Sequence, residues 1–167
     1  WRARQTERRD VPKDRAGREA RPISLWGSPM RRFFIAILVL ALIGLGVFWF
    51  VTRPQTLPDD ALAGLTPDPA HGELVFWAGG CASCHAALSA TGEAKLQLGG
   101  GQKFPSAFGT FLAPNISPDP DHGIGGWTAL DLANAMQRGV SPEGQHYFPA
   151  FPYSSYIRAK PQDIVDL

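Results

Sequence analysis

Hydrophobic positions along this chain fall into three regimes. Residues 1–29 show no apolar periodicity and are broken by Pro12, Gly17, Pro22 and Gly27-Ser28-Pro29, so no packed element is expected there. From Phe33 to Val51 nineteen residues run without a charge. As a helix that is about 28 Å, one hydrocarbon thickness, which predicts a single transmembrane helix within residues 30–53. Beyond residue 53 the apolar stretches become short and amphipathic.

Three signals place helices in that last part. Asp68-Pro69 is an N-cap followed by proline at the first helical position, and Gly79-Gly80 is a stop, which predicts a helix over 69–78 with Ala70, Leu74, Trp77 and Cys81 on one face. Thr128-Ala129-Leu130-Asp131 reads as a capping box with Asp in place of Glu, and Arg138-Gly139 closes a helix that carries Leu132, Ala135 and Met136 on one face. Pro161 opens a final helix that meets no stop signal before Leu167. Residues 86–127 hold Gly99-Gly100-Gly101, Pro105, Pro114, Pro118, Pro120 and Gly125-Gly126, too many breakers for a regular element. They predict a long loop anchored by Phe104, Phe108, Phe111, Ile116 and Trp127, and Tyr147 to Tyr156 form a second apolar loop. The expected fold class is all-α with long loops, preceded by one transmembrane helix.

Composition sharpens this picture. The 44% hydrophobic and 19% charged content suits a chain that buries a core, and eighteen Gly with fifteen Pro match the long loops. Charge divides the 167 residues: positions 1–53 carry eleven Lys/Arg against four acids, and positions 54–167 five against eleven. Arg31 and Arg32 precede the apolar run and only Arg53 follows it, so positive-inside logic keeps residues 1–29 cytoplasmic and exports the acidic remainder. The run exceeds the roughly 7 to 15 residues of a signal peptide and no small-x-small site follows, which favours a retained anchor. Residues 54–67, with Pro54, Pro58 and Asp59-Asp60, read as a tether to an exported domain over 68–167. Nucleic acid is not an expected partner, since the basic tail lacks interleaved aromatics and the exported part is acidic. Trp1 is no initiator and the last helix has no end, so the chain reads as a piece of a longer protein. Residues 1–29 are then a basic tail or untranslated upstream sequence, and the C-terminal helix is truncated.

The chemistry concentrates in Cys81-Ala82-Ser83-Cys84-His85, which holds both cysteines of the chain in the C-x-x-C-H pattern of c-type haem attachment. Two thiols at this spacing reach the two vinyl groups on one porphyrin edge, and the next residue supplies an imidazole as the proximal iron ligand. A thiol-disulfide oxidoreductase is the competing reading of C-x-x-C, but it needs no histidine at that place. Zinc would want two further ligands at paired spacing. His71 and His122 read as surface residues, Asp119, Asp121 and Gly123 as a polar turn rather than a calcium loop, and Asn115-Ile116-Ser117 as an accidental acceptor sequence. Met136 is a candidate iron ligand on what is otherwise a core face.

From about residue 68 onward the chain resembles class I c-type cytochromes of the membrane-bound mono- and dihaem kind that serve bacterial periplasmic alcohol and sugar dehydrogenases. Beside the haem motif, the resemblance rests on Phe108-Gly109-Thr110-Phe111, Ala113-Pro114-Asn115-Ile116-Ser117-Pro118-Asp119, Gly123-Ile124-Gly125-Gly126-Trp127, Gly139-Val140-Ser141-Pro142-Glu143-Gly144 and His146-Tyr147-Phe148-Pro149-Ala150-Phe151-Pro152-Tyr153. It implies a cytochrome c-like haem domain on the outer side of a bacterial inner membrane. There it would pass single electrons from a periplasmic dehydrogenase to a downstream respiratory acceptor, as an electron-transfer subunit with no substrate of its own. One haem c is implied here, with Cys81 and Cys84 as thioethers and His85 as proximal ligand, and a second haem is possible downstream. The position where such relatives carry a sulfur ligand aligns with Ala159, which cannot ligate iron. His146 is then preferred over Met136 as distal ligand, and an open distal position, with a haem sensor or peroxidatic role, is the alternative.

Overall fold

The computed structural model describes residues 29–167, so the basic tail expected over 1–29 lies, but for Pro29, outside the described residues. The chain divides into two compact units at Arg53 and Pro54. In the first, α1 (Pro29–Thr52) has no buried residue and is long and apolar enough to cross a membrane. Its C-terminal end is finished by an Arg53 N–H bond to the Trp49 carbonyl and by the Arg53 guanidinium lying 4.6 Å from the Phe50 ring centroid.

Helices dominate the regular structure of the second unit. They are α2 (Pro69–Gly79), α3 (Cys81–His85), α4 (Ala129–Ala133), α5 (Tyr153–Tyr156) and α6 (Pro161–Asp166). The start and stop signals act as the sequence implies. Asp68 accepts hydrogen bonds from the backbone N–H groups of Ala70 and His71, and Gly80 ends α2 at φ +73°, a left-handed conformation that favours glycine. Thr128 and Asp131 close a reciprocal capping box at the start of α4.

The all-α expectation needs correction. Strands β1 (Lys103–Ser106) and β2 (Gly109–Leu112) form an antiparallel hairpin in which Phe104 faces Phe111, and a 3₁₀ turn spans Gly92–Gln97. Four-residue strands with Pro105 inside one of them give no readable alternation, yet pairing satisfies backbone groups that a loop would leave to water. The helix expected to run to Arg138 also changes character, since Asn134–Arg138 is a π-helical turn. There the buried Asn134 turns its side-chain oxygen outward from the helix to accept the Leu57 N–H at 2.7 Å, and the widened turn brings Asn134 O to Val140 N.

That bond ties in residues 54–67, read above as a tether. They lie within the second unit, with Leu57 and Leu62 packed against the core of Ala133, Met136 and Ile164. The core is small. Val140 and Ile164 are the largest fully buried side chains among the described residues.

Helices α2 and α6 meet at Gly72, where a Cβ would strike the Asp166 carbonyl, so only glycine permits this approach. The Asp166 carboxylate is buried at the same crossing. It accepts from the Asp68 N–H (2.8 Å), the His71 Nδ1–H (2.7 Å) and the Gln162 amide (2.6 Å). Burial pushes its pKa upward, but these donors outweigh burial and hold it below the ordinary carboxylate value. His71, read as a plain surface residue, is half-exposed and paired here.

Candidate functional site

The site is built on α3, a single turn that begins where Gly80 ends α2. Cys81, Cys84 and His85 all sit on it and all are half-buried. Ser83 caps the turn internally, its hydroxyl donating to the Gly80 carbonyl at 2.6 Å. Beyond His85 the chain returns as two straps. Gly100 N–H donates to the His85 carbonyl at 2.8 Å, and the Pro114 carbonyl accepts from His85 Nδ1–H at 2.8 Å. The straps are joined to one another, Gly101 N–H to Ala113 O and Ala113 N–H to Gln102 O. Gly100 sits at φ +72° with its Cα against the carbonyls of Ala113 and Pro114, where any side chain would collide.

This arrangement decides the histidine tautomer. A carbonyl can only accept, so Nδ1 carries the proton and Nε2 presents a lone pair. A backbone carbonyl on the far ring nitrogen is the usual means by which a metal-binding imidazole is oriented and made more basic. Burial pushes the Cys81 thiol above its ordinary pKa, and the nearby Cys84 adds to this against an opposing backbone hydrogen bond. A thiol-disulfide catalyst requires the opposite, a thiolate stabilised at neutral pH. Tyr156 stands beside both cysteines, its hydroxyl donating to the Gly79 carbonyl at 2.8 Å, and burial, with the neighbouring cysteines, raises its pKa.

Aromatic side chains crowd the same part of the unit. Phe111 of the hairpin stacks on Phe148 at 4.7 Å between centroids, with Phe108 5.7 Å from the same ring, and Phe151 links Tyr147, Tyr153 and Tyr156. Phe108 is nevertheless 83% exposed and Phe148 half-exposed. Two thiols, one oriented imidazole nitrogen and a set of incompletely covered aromatic rings fit a covalently attached, largely apolar macrocycle.

The two distal candidates are placed very differently. Met136 lies in the π turn, 8% exposed, inside the core cluster with Ala133 and Ile164, and Ala159 packs against that cluster. His146 is exposed and its backbone bridges to Val140 in the loop that carries Tyr147 and Phe148. His122 is exposed in a turn where Asp119 accepts the Asp121 and His122 N–H groups, so that carboxylate is engaged with backbone. Sequence reasoning missed the Pro114 carbonyl and Gln102, whose amide reaches the Ser83 and Ala86 carbonyls. A main-chain oxygen 29 residues from its partner leaves no mark in composition or spacing.

No family model matches the chain. Among curated proteins it is similar to a dihaem cytochrome c-type protein of Cereibacter sphaeroides, 55% identical over 138 residues, 83% of this chain and 47% of that protein. It is similar to the cytochrome c subunit of a quinone alcohol dehydrogenase of Gluconobacter oxydans, 38% identical over 93 residues, 56% of this chain and 18% of the relative. The cytochrome subunit of fructose dehydrogenase of Gluconobacter japonicus is 30% identical over 115 residues, 69% of this chain and 23% of the relative. The chain thus spans about half the length of the first relative and less of the others.

Proposed function

We propose that this chain, of the c-type cytochrome class with haem c as its cofactor, is a membrane-tethered electron-transfer subunit. Cys81 and Cys84 would hold the haem through thioethers, and His85 Nε2 would be its proximal ligand. When bound, the haem supplies a one-electron couple. The protein supplies the rest: α3 sets the two sulfurs at one spacing, the Pro114 carbonyl holds the proton on His85 Nδ1, and the aromatic loops offer apolar surface for the macrocycle to cover. The observation that carries the reading is the His85 Nδ1–H bond to Pro114, because it leaves Nε2 as a fixed ligand on the helix that bears both thiols.

On the distal side His146 is the preferred ligand. Met136 is committed to the core cluster, whereas the His146 side chain is exposed, on the loop that also carries Tyr147 and Phe148. Helix α1 would be the anchor, placing the acidic unit on the periplasmic face of a bacterial inner membrane. The donor would be a dehydrogenase, as the names of the relatives suggest, met on that same periplasmic face, and the acceptor a member of the respiratory chain.

Optical spectra of the full chain made in a haem-attaching host test this reading. A low-spin spectrum whose reduced form ignores carbon monoxide is expected of a carrier. A carbon monoxide shift would indicate an open distal position and move the assignment to a haem sensor or peroxidatic enzyme.

A further inference from the structure

Three hydrogen bonds join α3 and its C-cap Ala86 to the first strap, and two of them come from one side chain. Gln102 Nε2 donates to the Ser83 carbonyl at 3.1 Å and to the Ala86 carbonyl at 2.6 Å. Its own carbonyl accepts the Ala113 N–H at 2.9 Å, so the same residue grips the attachment helix with its amide and the second strap with its backbone. On one side of it Gly100 N–H meets the His85 carbonyl, and on the other β1 begins at Lys103. The carbonyls at the end of a one-turn helix have no intrahelical donors, so an external donor sets where that end lies.

We infer that Gln102 is a positioning residue for the haem site, fixing α3 against the straps so that His85 stays in register with the Pro114 carbonyl. The inference rests on the haem reading above. Gln102 acts through His85 and the two straps. The residue type matters, because both partners are acceptors. A carboxylate of the same shape would add a third acceptor, and a thioether of the same length would donate nothing. Lys95 lines the same cavity of about 370 Å³ as Gln102, beside Ser83 and Ala86.

The test uses the full chain with Q102M and Q102E, and K103M at the exposed neighbouring position as control. Hydrogen exchange is read along the chain, together with the reduction potential of the attached haem. Loss of the donor is expected to speed exchange at least about three- to tenfold at residues 99–101, 113, 115 and 116 in both variants, while α2 and α6 keep wild-type protection. The potential is expected to rise, since a less firmly held Nδ1 proton makes His85 a weaker base toward ferric iron. Wild-type exchange in the straps with an unchanged potential would overturn the inference. Faster exchange across the whole unit would overturn it too, by reducing Gln102 to a general stabilising residue. A wild-type chain that carries no haem would contradict the haem reading instead. Exchange would then decide alone whether Gln102 anchors α3.

Discussion

Two regions of the second unit are held together by opposite means. At the crossing of α2 and α6, Gly72 lets two backbones touch, Ile164 is fully buried, and Asp166 is satisfied by donors from three directions. At the haem site, order comes from directional bonds to single atoms of α3, while Phe108 and Phe148 remain open to solvent. The crossing has its buried carboxylate and its close backbone contact satisfied, although Leu74 and Trp77 farther along α2 stay exposed. The haem site has its polar contacts in place and its apolar surface uncovered, as expected where a prosthetic group supplies the missing burial.

The contrast is broken most severely by removing the thiols. The double variant C81A/C84A is expected to lose all haem absorbance, and hydrogen exchange should then quicken across residues 98–127 and 146–153 while the crossing keeps its protection. Equal loosening of both regions would show that the crossing depends on the haem as well. The reverse experiment is G72A, whose methyl group would meet the Asp166 carbonyl. It is expected to cost about 3 kcal/mol in thermal or denaturant unfolding and to release α6 first.

Asp166 makes the crossing pH-sensitive. Its carboxyl is held below the ordinary value when folded, so it stabilises the fold above the ordinary carboxylate range, and that contribution is lost as pH falls through the depressed value. D166N should be less stable than wild type at neutral pH, with the gap closing on acidification. A gap constant with pH would mean the carboxylate's charge is not what holds His71 and Asp68. The smallest effect belongs to T128A at the exposed capping box that starts α4, at about 1 kcal/mol in the same unfolding measurement.

The same contrast explains what was readable in the sequence. Local signals carried through: the apolar run of α1, the Asp68-Pro69 start and Gly80 stop of α2, the Thr128 capping box and the Pro161 start of α6 all depend on residues within one or two turns. The spacing of Cys81, Cys84 and His85 is equally local, and all three lie on α3. The hairpin at 103–112 was hidden by Pro105 and by strands too short to alternate. The pairs that finish each region join distant residues, His71 with Asp166 and His85 with Pro114, and a single sequence carries no trace of such pairings. The packing of Leu57 onto Asn134 escaped for the same reason, since prolines and acids nearby suggested only a spacer.

The most direct test of the central claim is the mass of the intact chain from a haem-attaching host, followed by the mass of the peptide spanning Cys81 to His85. One haem added to that peptide, surviving extraction with acidified organic solvent, is the predicted result. Two free thiols at Cys81 and Cys84 with no added mass would contradict it.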